Sequence, residues 1–203
     1  MNIDVLRKAQ ASFLANYPGG FNNPEMIAMG KKHKMEQLER QARESFAKKC
    51  FDNPGCIAEQ AAKLVSRSSM VSMFEKPRFS DFAQSLNSKE RHQFSDALYS
   101  LVHGKQEQGF DGMLEVLGKQ KLAKWTLVSV LPAYYNPQKE VFVKPTTAKL
   151  IIDRLELDLA YKATPSWAFY KGYRKAINEL KKSVDESLAP NNPAFCGFLM
   201  MSL

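Results

Sequence analysis

The stretch from Trp125 to Trp167, WTLVSVLPAYYNPQKEVFVKPTTAKLIIDRLELDLAYKATPSW, is where this chain changes its grammar. It holds both tryptophans, four of the ten prolines and the only β-type run. Charged, helix-periodic sequence fills most of the chain before it, and another helix follows. Any fold must accommodate this interruption, which reads as the clasp between two helical blocks. WTLVSVL is rich in β-branched residues and does not alternate cleanly, the pattern of a strand buried on both faces. Tyr134–Pro137 is a turn signal, and EVFV after it reads as a second short strand. Together they predict a small β-hairpin within residues 125–143. Lys144-Pro145 ends it, because proline drives the residue before it out of the helical region. Thr146 or Thr147 then caps the helix AKLIIDRLEL.

Before the clasp the punctuation is helical. Residues 3–15 place Val5, Leu6, Ala9, Phe13 and Leu14 at helical spacing, and NYPGGFNNP ends that helix. Asn23-Pro24 is an N-cap followed by proline at the first helical position, opening one long charged helix to about Cys50. Asn53-Pro54 repeats the signal and opens a helix with Ile57, Ala61, Leu64, Val65 and Met70 inward, broken at Lys76-Pro77. A short helix over Asp81–Leu86 follows, capped by Ser80. The next is capped by Ser88 and stopped by Gly104, and a last one stops at Gly118. After the clasp, Ser166 starts a helix with Trp167, Tyr170, Tyr173 or Arg174, and Ile177 along one side. Pro190–Pro193 breaks the chain before the apolar end AFCGFLMMSL, read as a core strand or helix. The expected fold is mainly α: one domain, residues 1–203, with about eight helices. It comprises a helical block 1–118, the hairpin 125–143 and C-terminal helices 146–203.

Charge and cysteines bound the chemistry. The net charge is +8, divided evenly, with +4 in residues 1–100 and +4 in residues 101–203. A polyanion such as nucleic acid is thus a plausible partner, but no basic arm concentrates the charge. No apolar run reaches the roughly 18 residues of a membrane span, so no membrane is expected as partner. The first ten residues place Asp4, Arg7 and Lys8 where a signal peptide carries its apolar region, which points to a cytoplasmic location. Cys50, Cys56 and Cys196 are too few and too scattered for a disulfide framework or a zinc knuckle.

Enzyme signatures are thin. His33, His92 and His103 form no HExxH or other metal-ligand spacing, and there is no GxSxG elbow, P-loop or dinucleotide fingerprint. No metal site, no cofactor and no catalytic residue is therefore assigned. Glu140 and Lys144 are similar to the acid-and-lysine end of some metal-dependent nucleases, but the spacing is off and no acidic strand precedes them. His92 with Glu90 or Asp96 makes a general-base pair only if folding builds a cleft there.

What remains are binding candidates. Lys144, beside a helix start at Thr146 and Thr147, is a workable anion site. The competing reading is a lysine covering apolar surface with its stem. Trp125, Tyr135, Trp167 and Tyr170, with Lys171 and Arg174 nearby, have the makings of a stacking platform for single-stranded nucleic acid, or else of a core. Lys31-Lys32-His33-Lys34 can contact phosphates, or simply form a solvated helix face. The apolar end Phe195–Leu203 is a candidate homodimer surface, against the reading that it packs into its own core.

The C-terminal half resembles a bacterial conserved family with no established activity. The positions that carry the resemblance are Trp125, Pro132, Pro137, Phe142-Val143-Lys144-Pro145, Tyr161, Pro165, Trp167, Tyr170 and Phe195–Phe198. Tyr17-Pro18-Gly19-Gly20-Phe21 is similar to that family's Pro-Gly-Gly-Phe turn. Where the family ends in an acidic, aromatic-bearing segment, this chain has Asn191-Asn192-Pro193 and a methionine-rich end. The resemblance implies a single domain and no reaction. The functional expectation is a non-enzymatic cytosolic interaction protein. A nucleic-acid-binding accessory protein is the alternative, and an unrecognised enzyme is third.

Overall fold

Asparagine side chains set five of the eleven helix starts. The computed structural model describes residues 1–203 and contains eleven α-helices, three short 3-10 turns and no strand. The helices are α1 (Ile3–Asn16), α2 (Pro24–Lys32), α3 (Met35–Ser45), α4 (Pro54–Arg67), α5 (Glu75–Ser85) and α6 (Ser88–His103). They continue with α7 (Gln106–Gly118), α8 (Trp125–Tyr135), α9 (Pro145–Arg154), α10 (Trp167–Lys181) and α11 (Asn192–Ser202). Asn2, Asn23, Asn53, Asn87 and Asn191 each accept a backbone N–H of the first turn that would otherwise lack a partner. Ser166 does the same for α10.

The expected hairpin is absent. Trp125–Tyr135 is the helix α8, and nine of its eleven residues are buried. A helix that is apolar all round belongs in the centre of a bundle, and α8 packs against α3, α4, α6 and α7. β-propensity measures the fit of a side chain to a half-buried pleated surface, and it loses its hold where every face is buried. A two-stranded hairpin would also leave both outer edges unpaired inside the core, whereas a helix satisfies its backbone internally. The second predicted strand, Glu140–Val143, is a segment without regular secondary structure, with Val141 and Val143 buried. Ser129 Oγ ties it to α8, donating to Trp125 O at 2.6 Å and accepting from Val143 N at 2.9 Å.

The count of about eight helices also needs correction. The long helix expected from Asn23 to about Cys50 is divided by Lys34, which sits in the left-handed region at φ 55°, and ends at α3. That turn lets Met26 of α2 and Leu38 and Ala42 of α3 all reach the core. α4 stops at Arg67, and α5 begins six residues before the expected Asp81. Pro77 is tolerated there because the first turn of a helix has no use for that N–H. The cap of α6 is Asn87, in a capping box with Glu90, and Ser88 is the first helical residue. α9 opens from Lys144 with Pro145 at its first position, and neither Thr146 nor Thr147 caps it.

One hydrophobic cluster of 46 buried residues runs through the helices. α6 and α7 form the closest pair. A Cβ at Gly109 would lie 2.1 Å from the backbone N of Leu101, so only glycine permits that approach. The apolar end folds into α11, where Phe195, Phe198 and Leu199 are buried. No helix is long and apolar enough to cross a membrane.

Candidate functional site

Two places gather the residues that have chemical or recognition character. The first is the loop 136–144 where it crosses α10. Its backbone is held from outside by Asn178 Nδ2, donating to Lys139 O at 2.9 Å, and by Lys181 Nζ, donating to Gln138 O at 3.0 Å. Asn192 adds two bonds, from its N to Pro137 O at 2.8 Å and from Nδ2 to Glu140 O at 3.1 Å. These bonds push the side chain of Glu140 inward, to 3% exposure. A buried carboxylate is tolerable only when paired and hydrogen-bonded. Arg174 Nη1 lies 2.7 Å from Oε2 and 2.8 Å from Oε1, Gln106 Nε2 donates to Oε1 at 2.9 Å, and Tyr170 Oη donates to Oε2 at 2.9 Å. The Arg174 guanidinium lies over the Trp167 and Tyr170 rings at 5.4 and 5.6 Å. Burial, then the adjacent Glu140 charge, hold the Tyr170 phenol well above its ordinary range. Among buried side-chain polar atoms only Asn192 Oδ1 has no hydrogen-bond partner.

This cluster is closed. Both carboxylate oxygens are occupied twice, the cation is neutralised, and Tyr170 stays protonated. Such an arrangement orients helices; it leaves no free base, acid or nucleophile.

The second place is the corner between α4 and α5. Ser68 ends α4 because its hydroxyl turns to the buried Tyr134 hydroxyl, 3.0 Å away, and also accepts from Met70 N at 3.1 Å. Val71 drops into the core, and Ser72 Oγ accepts from Phe74 N at 3.2 Å. The loop is therefore fixed, yet it carries Met73 and Phe74 outward, 74% and 79% exposed. No other large apolar side chain is as exposed. Glu75, next in the chain, is bound by Lys124 at 3.4 Å and by the Thr126 hydroxyl at 3.0 and 3.1 Å.

An open groove of about 500 Å³ lies between the starts of α4 and α6, with Gly55, Ser88, Arg91 and His92 on its walls. Arg91 Nε donates to Leu86 O at 2.9 Å, and His92 Nδ1 lies 2.8 Å from Ser88 O. Glu90 is occupied by its capping box and by Lys119 at 3.7 Å. A second groove, about 370 Å³, adjoins it across Arg91.

The residues singled out from sequence disperse. Lys144 and Thr146 are exposed and Thr147 is half-buried, with no side-chain hydrogen bond from any of the three. Lys171 is exposed on α10, one turn from the inward-facing Arg174. Trp125 is buried among Phe110, Tyr161 and Phe169, its indole N–H donating to Lys162 O at 2.8 Å. Trp167 and Tyr170 pack at a tilt against Phe110, whereas Tyr135 belongs to a separate group with His103. Only Trp167, Tyr170 and Arg174 are brought together. The sequence does not single out Gln106, Met73 or Phe74, and it pairs Glu140 with Lys144, whereas the structure pairs it with Arg174. The one available signal was Arg174 on the apolar side of α10, since a buried arginine requires an acid.

The fold and these two places define an all-helical protein with a closed polar clasp and an open apolar corner. Compared with known proteins, the chain matches no family model, no curated protein and no solved structure.

Proposed function

We propose that the chain is a non-enzymatic interaction protein whose working surface is the α4–α5 corner. One observation carries the reading: Met73 and Phe74 stand 74% and 79% exposed on a loop whose backbone is already fixed by Ser68, Ser72 and Tyr134. Large apolar side chains in water lose roughly 2–3 kcal/mol each relative to burial, and a loop that pays no ordering entropy delivers that gain on docking. Three unpaired cysteines suit a cytosolic setting, where thiols stay reduced. The nucleic-acid alternative draws less support, because the faces of Trp125 and Tyr170 are already packed against other rings.

The test compares what the wild-type protein and a Met73→Ser/Phe74→Ser variant retain from cell extract, soluble and membrane fractions included, with thermal melting as the control. Retention that depends on the corner, at unchanged melting temperature, is the expected result. Identical retention by the two proteins overturns the proposal.

A further inference from the structure

We propose that the corner docks on an anionic phospholipid surface, an assignment that rests on the reading just given and names its partner. Phe74 precedes α5 with helical torsions, φ −80° and ψ −23°. Phe74, Pro77 and Arg78, at i, i+3 and i+4, therefore share one face of the first turn, with Met73 alongside. Arg78 is exposed and Lys76 half-buried, and neither side chain makes a hydrogen bond or an ion pair within the chain. The only acid in that turn, Glu75, is already neutralised by Lys124. Asp81, three residues beyond Arg78, is exposed and forms no ion pair with it. The apolar pair is thus bordered by two cations held in no ion pair, on a chain whose net charge is +8.

Shape decides between counterparts. Met73 and Phe74 project from the corner at 74% and 79% exposure, and neither of the two grooves described above reaches residues 68–78. Methionine and phenylalanine projecting beside cations call for a deformable apolar layer beneath fixed negative charge. A bilayer interface with anionic headgroups supplies both and needs no shape-matched cavity. Because the loop is preset, the side chains enter without first being ordered.

The experiment is flotation of the full chain with vesicles of phosphatidylcholine alone and of phosphatidylcholine mixed with phosphatidylglycerol, over a salt series. The expected result is retention on the mixed vesicles that falls with salt and is weaker by about tenfold or more in Phe74→Ser. Lys76→Glu/Arg78→Glu weakens it similarly. No retention on mixed vesicles at low salt overturns the assignment. So does retention that survives Phe74→Ser but is lost in Lys31→Glu/Lys32→Glu, which would mark diffuse attraction elsewhere on the surface. If vesicles fail while corner-dependent capture of a protein persists, the lipid assignment falls and the interaction reading stands. If capture also fails, both fall.

Discussion

The clasp around Glu140 and the corner at Phe74 are built with the same tools and end in opposite states. Each fixes a loop by side-chain hydrogen bonds to backbone, Asn178 and Asn192 at one and Ser68 and Ser72 at the other. At the clasp the fixed loop turns a carboxylate inward to an arginine, a tyrosine and a glutamine, and every charge is consumed. At the corner it turns two apolar side chains outward and leaves them unused. Residue types that look chemical are thus spent on architecture here, and residue types that look like core are the ones left free. Recognition is better sought in what the fold does not use.

The sharpest way to break this comparison is to open the clasp. Arg174→Ala leaves Glu140 buried without its cation, and removing one partner of a buried pair costs about 3–5 kcal/mol. Denaturant unfolding should show that loss. Adding Glu140→Gln to the alanine variant should recover part of it, since the uncompensated charge is then gone. A loss below about 1 kcal/mol would mean the clasp is dispensable for folding, and its residues would return as ligand candidates.

Tyr134 connects the two regions, packing in α8 while its hydroxyl anchors Ser68. Burial raises its phenol to about 12 from 10.0. The folded state therefore holds the proton more tightly. This stability is fully present below about pH 10 and is lost as pH rises through the folded value. A two-unit shift corresponds to roughly 3 kcal/mol. Tyr170 and Tyr173, both held well above their ordinary range by burial, push in the same direction. Unfolding free energy measured from pH 9 to 12 should fall steeply, and Tyr134→Phe should flatten the slope. The same variant gives up about 1 kcal/mol at neutral pH with the lost hydrogen bond. An unchanged alkaline slope would detach Tyr134 from the corner.

A smaller effect is expected at Glu39, where the substitution stabilises instead of destabilising. Burial, more than any charge, raises its carboxyl, and Arg43 is 3.9 Å away. A raised carboxyl contributes stability below its unfolded value and loses it as pH rises, so at pH 7 the charged form is a burden. Glu39→Gln keeps an acceptor for Asn191 Nδ2 and should stabilise by up to about 1 kcal/mol in thermal melts at pH 7, with no gain at pH 4.

What was legible in sequence follows from range. Asn23-Pro24, Asn53-Pro54 and Ser166 mark helix starts because capping is settled within three residues. Gly104 ends α6 for the same local reason. α8 was misread because Val128 and Val130 carry β-type identities while their conformation is decided by burial on every side. The partner of Arg174 lies 34 residues away, and no spacing rule spans that distance. The helix expected to run on toward Phe74 stops at Arg67 because of Tyr134, 66 residues from Ser68. Local signals placed the helices, and long-range hydrogen bonds chose what became buried.

The smallest expected effect tests the corner most directly. Phe79 and Phe74 lie five residues apart at the same end of α5, one fully buried against Phe82 and Phe94, the other 79% exposed. Truncating the first should cost about 3–5 kcal/mol. Phe74→Ser should stay within about 0.5 kcal/mol of wild type, because the folded chain gives that ring almost nothing to pack against. Both are read from denaturant midpoints at constant slope. If Phe74→Ser costs more than about 2 kcal/mol, the ring is buried in solution, against its own chain or a second copy. Dilution separates these, since only the second makes stability depend on protein concentration. In either event the corner would be another closed element, and the contrast with the clasp would vanish.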